Sequence, residues 1–237
     1  IGCKCVVCLS ADARDKRLRS ALLVQSASTN VLIDAGPDLR QQLLRAEVQD
    51  IDAIFITHEH QDHTAGLDDV RAINFLQGHS IPIYCNQAVE RRLRQQYAYI
   101  FENADYPGVP QISIERLPQK AFSIGDIGIE PLTLRHKKID VNAFRFGDFT
   151  YITDANHIPD AEKIKIENSK HLVINALRQE PHHSHFTLQE ALKLADELGA
   201  ENAYFTHISH QMGRHAEVSA QLPENRYLAQ DQMVIRT

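Results

Sequence analysis

The chain has 237 residues, enough for one domain of two packed layers, and its 43% hydrophobic content can supply a buried core. Its formal charge of −6, from 25 Lys and Arg against 31 Asp and Glu, disfavours an extended nucleic acid as partner. No apolar run approaches the roughly 20 residues needed to span a bilayer, and no secretory signal pattern opens the chain, so a cytoplasmic protein without membrane contact is expected.

The chain starts at Ile1 without an initiator Met, which leaves room for native residues before it. Three of the four cysteines follow at once, as Cys3, Cys5 and Cys8. They are too close together for a disulfide framework, and in a reducing compartment such spacing reads as metal binding. Ala21 to Gln25 and Asn30 to Asp34 read as two strands joined by a polar turn, and a helix follows from Leu39 to Arg45. Ala53 to Thr57 is a short, apolar, β-branched run of the buried-strand kind, with a helix expected from Gly66 towards Phe75. Ile81 to Tyr84 is a strand, Gln87 to Phe101 a helix, and strands recur at Gln111 to Glu115, Ile127 to Leu134, Ala143 to Phe146 and Thr150 to Thr153. Leu172 to Asn175 reads as a buried strand. Thr187 and Glu190 form a capping box for a helix that Gly199 stops, and Asn202 to Thr206 is the next strand. No repeat or linker interrupts the chain, so a single domain over residues 1–237 is expected. Two groups of mostly antiparallel strands with helices suggest two sheets face to face, helices outside.

The chemistry concentrates where the Ala53 strand ends, in Thr57-His58-Glu59-His60-Gln61-Asp62-His63. Extended chain points residues i and i+2 the same way, so His58 and His60 can hold one metal. Asp62 and His63, at the turn beyond, reach a second. Imidazole with carboxylate suits zinc, and also manganese or iron. Three further strands end in ligand-type residues: His136, Asp154 and His207. Cys85, alone after a strand, reads as a small core residue. His79, His157, His171 and His215 read as surface or supporting histidines. Arg71 and Arg178 are candidate phosphate contacts.

These motifs resemble the metallo-β-lactamase superfamily, which implies an α/β fold, an αβ/βα sandwich with metals between the sheet edges. The resemblance implies that His58, His60 and His136 hold one metal, that Asp62, His63 and His207 hold another, and that Asp154 bridges. Within the superfamily the chain is most similar to the phosphodiesterases associated with the carbon–phosphorus lyase pathway, from the Cys cluster to Thr206-His207-Ile208-Ser209-His210-Gln211. That branch implies a structural zinc on Cys3, Cys5, Cys8 and His210 beside two divalent ions, zinc or manganese, in the active site. It also implies a general acid at His185, in Ser184-His185-Phe186, with Asp62 and His185 as the catalytic residues. The stretch from His136 to Asp154 is shorter than in that branch, so the hairpin beside the substrate is expected to differ.

The function expected is hydrolysis of a small cyclic phosphate, such as phosphoribosyl 1,2-cyclic phosphate, by a metal-bridging hydroxide, with His185 protonating the leaving oxygen. The alternatives are tRNA 3′-end processing, hydrolysis of a lactone or thioester, and a metal-dependent binding module without turnover. A small phosphodiester is the expected partner, and a homodimer is allowed.

Overall fold

A computed structural model describes residues 1–102 and 108–237. They form two compact units: a central one, Arg19–Pro131, and one from the flanking segments Ile1–Leu18 and Leu132–Thr237.

In the central unit, strands β1 (Leu22–Gln25), β2 (Asn30–Ile33), β3 (Ala53–Phe55), β4 (Ile81–Cys85) and β5 (Ile112–Arg116) make one sheet in that order. Only β1 and β2 pair antiparallel; every later neighbour is parallel. Helices α1 (Leu39–Arg45), α2 (Gln61–Thr64), α3 (Arg71–Gln77), α4 (Gln87–Gln96) and α5 (Ala98–Glu102) lie between strands. Leu39, Val89 and Leu93 from these helices bury against Leu32, Ile54 and Ile83 of the sheet, which accounts for the apolar strand runs. Two expected helices are divided. Leu67–Val70 is a tighter 3-10 turn before α3, and its i,i+3 spacing puts the buried Leu67 and Val70 on one side. The helix from Gln87 breaks at Tyr97, whose ring is buried and whose hydroxyl donates to Thr64 O at 2.7 Å.

Strand β6 (Phe122–Ile124) pairs antiparallel with the first residues of β7 (Ile127–His136), a strand that passes from the central segment into the flanking one. The flanking unit continues with β8 (Ile139–Phe146), β9 (Phe149–Tyr151), α6 (Asp160–Ile166), β10 (His171–Asn175), α7 (Leu188–Glu197), β11 (Asn202–Thr206), α8 (His215–Ser219) and β12 (Arg226–Leu228). Its strand order is β12-β11-β10-β9-β8-β7. β9, β10, β11 and β12 run parallel, while β8 and β9 are antiparallel. Both sheets are therefore mixed rather than mostly antiparallel, because helices rather than hairpins make most connections. Helix α7 carries the expected capping box: Glu190 N donates to Thr187 Oγ1 at 3.1 Å and Thr187 N to Glu190 Oε2 at 2.8 Å. The N-terminal segment is tied to the end of the chain by Leu18 N donating to Asp231 and His215 N to Asp15.

No helix among the described residues is long and apolar enough to cross a membrane.

Candidate metal centre and active-site residues

Parallel pairing places the carboxyl ends of neighbouring strands at one edge, where open α/β sheets carry their sites. In the central unit Ile33 of β2 is in register with Phe55 of β3, so Asp34 lies beside the segment that opens the histidine motif. Asp34 is fully buried and has a left-handed backbone, φ 64°, which Asp tolerates better than most residues. Its carboxylate accepts from Thr57 N at 2.8 Å, from Thr57 Oγ1 at 2.9 Å and from His63 Nδ1 at 2.6 Å. The backbone reinforces this: Ala35 N donates to His63 O and Gly66 N to Ala35 O, both at 2.8 Å. A Cβ on Gly66 would collide with Gly36 O, and one on Gly36 with Asp62 O, so the two loops meet as bare backbone.

These bonds set tautomers. A carboxylate only accepts, so His63 carries its proton on Nδ1 and its lone pair on Nε2. Thr57 gives its hydroxyl proton to Asp34, so its oxygen accepts from His58 Nδ1 at 3.1 Å and the His58 lone pair also sits on Nε2. That Nε2 is 2.9 Å from His60 Nδ1. Asp62 Oδ2 is 3.7 Å from His63 Nε2. The central unit thus presents two donor pairs, with the buried imidazoles turned by hydrogen bonds as metal-ligating histidines are.

The flanking unit supplies a second group. His136 is the last residue of β7, and its Nδ1 donates to Ser184 O at 2.8 Å, again placing the lone pair on Nε2. Asp154 and His207, just past β9 and β11, both have left-handed backbones, φ 55° and 54°. Such conformations cluster at functional sites in non-glycine residues. His185 Nε2 and His207 Nε2 converge on Asp154 Oδ1, at 2.7 and 2.9 Å. Donor atoms of His136, Asp154 and His185 all lie within 4.8 Å of one another. Asn175, buried at the end of β10, fixes the adjoining backbone by exchanging hydrogen bonds with Ala155 N and O at 2.8 and 2.9 Å. The other ring nitrogen of His185 is 3.0 Å from His182 Nδ1. Burial first, then the neighbouring His185, holds His182 below the usual histidine range.

The same unit holds Cys3, Cys5, Cys8 and His210, whose four donor atoms also lie within 4.8 Å of one another. His210 Nδ1 is 3.4 Å from the sulfurs of both Cys3 and Cys5. The Cys8 N–H, then His210, pushes the Cys5 thiol down to about 6, while proximity to Cys5 pushes Cys8 up to about 11. Adjacent thiols that cannot all ionise together fit a bound cation, which would stabilise every thiolate; three sulfurs and one imidazole are a zinc donor set. The His and Asp donors of the two units likewise fit divalent ions that take imidazole and carboxylate.

Other expectations divide. Cys85 is a buried core thiol, pushed up to about 12 by burial. His79 and His157 are exposed, but His171 and His215 are buried. His215 is packed against Arg17, whose Nη2 is 2.9 Å from its Nδ1. Arg71 is half-exposed and 3.9 Å from Asp68. Arg178 directs three of its nitrogens to acceptors of the fold, Glu180 O, Pro181 O and Gln211 Oε1. Sequence reading passed over Asp34, Thr57, Asn175 and Ser184. For Asp34 a signal existed: an acid ends an apolar strand and is followed at once by Ala35-Gly36.

Residues 29–208 match the model of the beta-lactamase superfamily domain. The chain belongs to the beta-lactamase superfamily. Its fold is the metallo-β-lactamase fold, and its His and Asp donors are grouped as a metal site requires. A crystal structure of a diphosphatase from the PhnP family is 39% identical, covers 98% of this chain and 89% of its own, and superposes with a TM-score of 0.91. An octanoyltransferase of Porphyromonas gingivalis is 34% identical over 98% of this chain, which is 47% of the relative. An exodeoxyribonuclease, WalJ, of Streptococcus pneumoniae is 26% identical over 66% of this chain and 58% of its own length. The chain thus spans about half the length of the curated relatives it matches.

Proposed function

We propose that this domain hydrolyses a phosphorus–oxygen bond in a small phosphate compound, a cyclic phosphodiester such as phosphoribosyl 1,2-cyclic phosphate or a diphosphate linkage. The observation that carries this reading is the likeness, at 39% identity over 98% of the chain, to a PhnP-family diphosphatase. The donor set supports it. Each unit brings donors that would hold divalent ions: His58, His60, Asp62 and His63 in the central unit, and His136, Asp154 and His207 in the flanking one. When bound, zinc or manganese there supplies positive charge that neutralises phosphate oxygens and activates water.

The chain's own residues do the rest. Asp34, directly to His63 and through Thr57 to His58, keeps these two imidazoles in the tautomer that offers Nε2. His185, its Nε2 against Asp154 Oδ1, holds the proton that passes to the departing oxygen. Cys3, Cys5, Cys8 and His210 would hold a structural zinc, joining the first residues of the chain to the loop that begins at His207. A net charge of −6 favours a small phosphate over a long nucleic acid, and three exposed or half-exposed thiols suit a reducing compartment such as the cytoplasm.

A second reading, octanoyl transfer, rests on the name of the Porphyromonas gingivalis relative, of which this chain would be about half. The deciding experiment loads the protein separately with manganese and zinc. It then assays phosphoribosyl 1,2-cyclic phosphate, a nucleoside diphosphate compound, a lactone and octanoyl transfer side by side. Turnover of either phosphate is expected. Turnover confined to the lactone or to octanoyl transfer, or none with metals bound, overturns the proposal.

A further inference from the structure

The segment between β10 and α7 carries His182, His183 and His185, yet none of residues 179–185 belongs to a helix or strand. Its neck is closed by backbone: Leu177 N donates to Phe186 O and Leu188 N to Arg178 O, both at 3.0 Å. Seven residues of irregular chain lose much backbone entropy when they are fixed, so something must hold the interior of this loop. On one side His136 Nδ1 reaches Ser184 O at 2.8 Å and Asn156 Nδ2 reaches His183 O at 3.3 Å. On the other side there is Arg178.

The guanidinium of Arg178 uses each of its three nitrogens. Nε donates to Glu180 O at 3.1 Å and Nη2 to Pro181 O at 2.6 Å, which fixes the approach to His182. Nη1 donates to Gln211 Oε1 at 2.9 Å, in the 3-10 turn His210–Met212. Gln179 Nε2 donates to Met212 O at 3.1 Å, and Ser209 N to Leu177 O at 2.9 Å, along the same seam. A planar fork with fixed donor directions suits three acceptors on two loops; an ammonium on a flexible stem does not.

We propose that Arg178 is a positioning residue that clamps the loop carrying His185 to the turn carrying His210, rather than a contact to the substrate phosphate. Its role in catalysis, exerted through His185, rests on the hydrolase reading above. The clamp itself is a property of the fold and is tested without turnover.

The experiment compares the metal-loaded protein with its Arg178→Ala, Arg178→Lys and Gln211→Ala variants by amide hydrogen exchange, and measures kcat and KM on whichever phosphate the wild type cleaves. Arg178→Ala and Arg178→Lys should both speed exchange in residues 179–186 by about tenfold or more. Both should lower kcat by about tenfold with KM nearly unchanged. Gln211→Ala, which cuts the bond of the fork that reaches the turn, should speed exchange in residues 207–212 and, less than Arg178→Ala does, in residues 179–186. Unchanged exchange in Arg178→Ala overturns the clamp. So does a raised KM that Arg178→Lys restores, since a phosphate contact needs only the charge. If the wild type cleaves neither phosphate, the hydrolase reading fails while the exchange result still decides the clamp. If Arg178→Ala does not fold, the paired Gln211→Ala and Arg178→Lys exchange patterns decide it.

Discussion

The buried carboxylate of Asp34 accepts a 2.6 Å hydrogen bond from His63 Nδ1 while also accepting from the backbone and hydroxyl of Thr57, one residue before His58. One acid thereby orients both ends of the histidine motif. Asp34→Ala should remove the constraint and leave three donors unsatisfied in a dry site. We expect metal affinity to fall by about 10- to 100-fold, as when the partner of a ligating histidine is removed. Stability should fall by about 3 kcal/mol for a broken buried network. Metal titration followed by mass spectrometry and a melting curve check both. Wild-type affinity in the variant would mean that the loop holds its own shape.

The cysteine cluster makes a chemical prediction about the metal-stripped protein. Thiolates, not thiols, attack alkylating agents, and Cys5 is held down at about 6 while Cys8 is pushed up to about 11. At pH 7 iodoacetamide should therefore modify Cys5 well before Cys8, with the order read by peptide mass mapping. Added zinc should protect both, and Cys5→Ser should lower the zinc content by about one ion per chain. Equal alkylation of the two, unaffected by zinc, would remove the case for a metal there.

His185→Ala tests proton donation. The variant should turn over the phosphate with kcat reduced by about 10²- to 10⁴-fold and its metal content unchanged, read by steady-state kinetics and metal analysis. A variant that keeps the wild-type kcat, or that loses a metal ion, would give His185 another job.

Asp126 gives a pH-dependent stability. The hydroxyls of Ser26, Thr29 and Ser28 donate to it and hold its carboxyl at about 2, against an ordinary 3.8. A lowered folded-state value means the contribution is complete above about 3.8, where both states are ionised, and is lost as pH falls towards 2. Asp126→Asn should melt with less pH dependence than wild type across that window. Parallel curves for the two proteins would show that these hydroxyls hold nothing.

Much of the architecture was legible because its causes are local. Helix α1 runs over Leu39–Arg45, the capping box of Thr187 and Glu190 starts α7, and β11 covers Asn202–Thr206, as periodicity and cap chemistry require. The start of α6 was also readable, since Pro159 precedes a first turn with Asp160 and Glu162, yet its seven residues pass below a search for long amphipathic stripes. Strands β6 and β12, of three residues each, have no period to detect. Where a long-range contact intervenes, local reading fails. Tyr97 leaves the α4 path to bury its ring and reach Thr64 O, a cause 33 residues away in sequence.

The candidate site divides along the same line. The residue types that can hold a metal are set by side-chain chemistry, so His58, His60, Asp62, His63, His136, Asp154, His207 and the Cys3, Cys5, Cys8 cluster stand out in the sequence by themselves. How each one is held is a matter of through-space partners, and those carry no signature in spacing. That the lone pairs of His58 and His63 sit on Nε2 follows from Asp34, more than 20 residues away, and that His136 does the same follows from the backbone of Ser184. Arg178 is the sharpest case: as a sequence letter it is a free cation suited to phosphate, and only folding brings the carbonyls and amide that take up its donors.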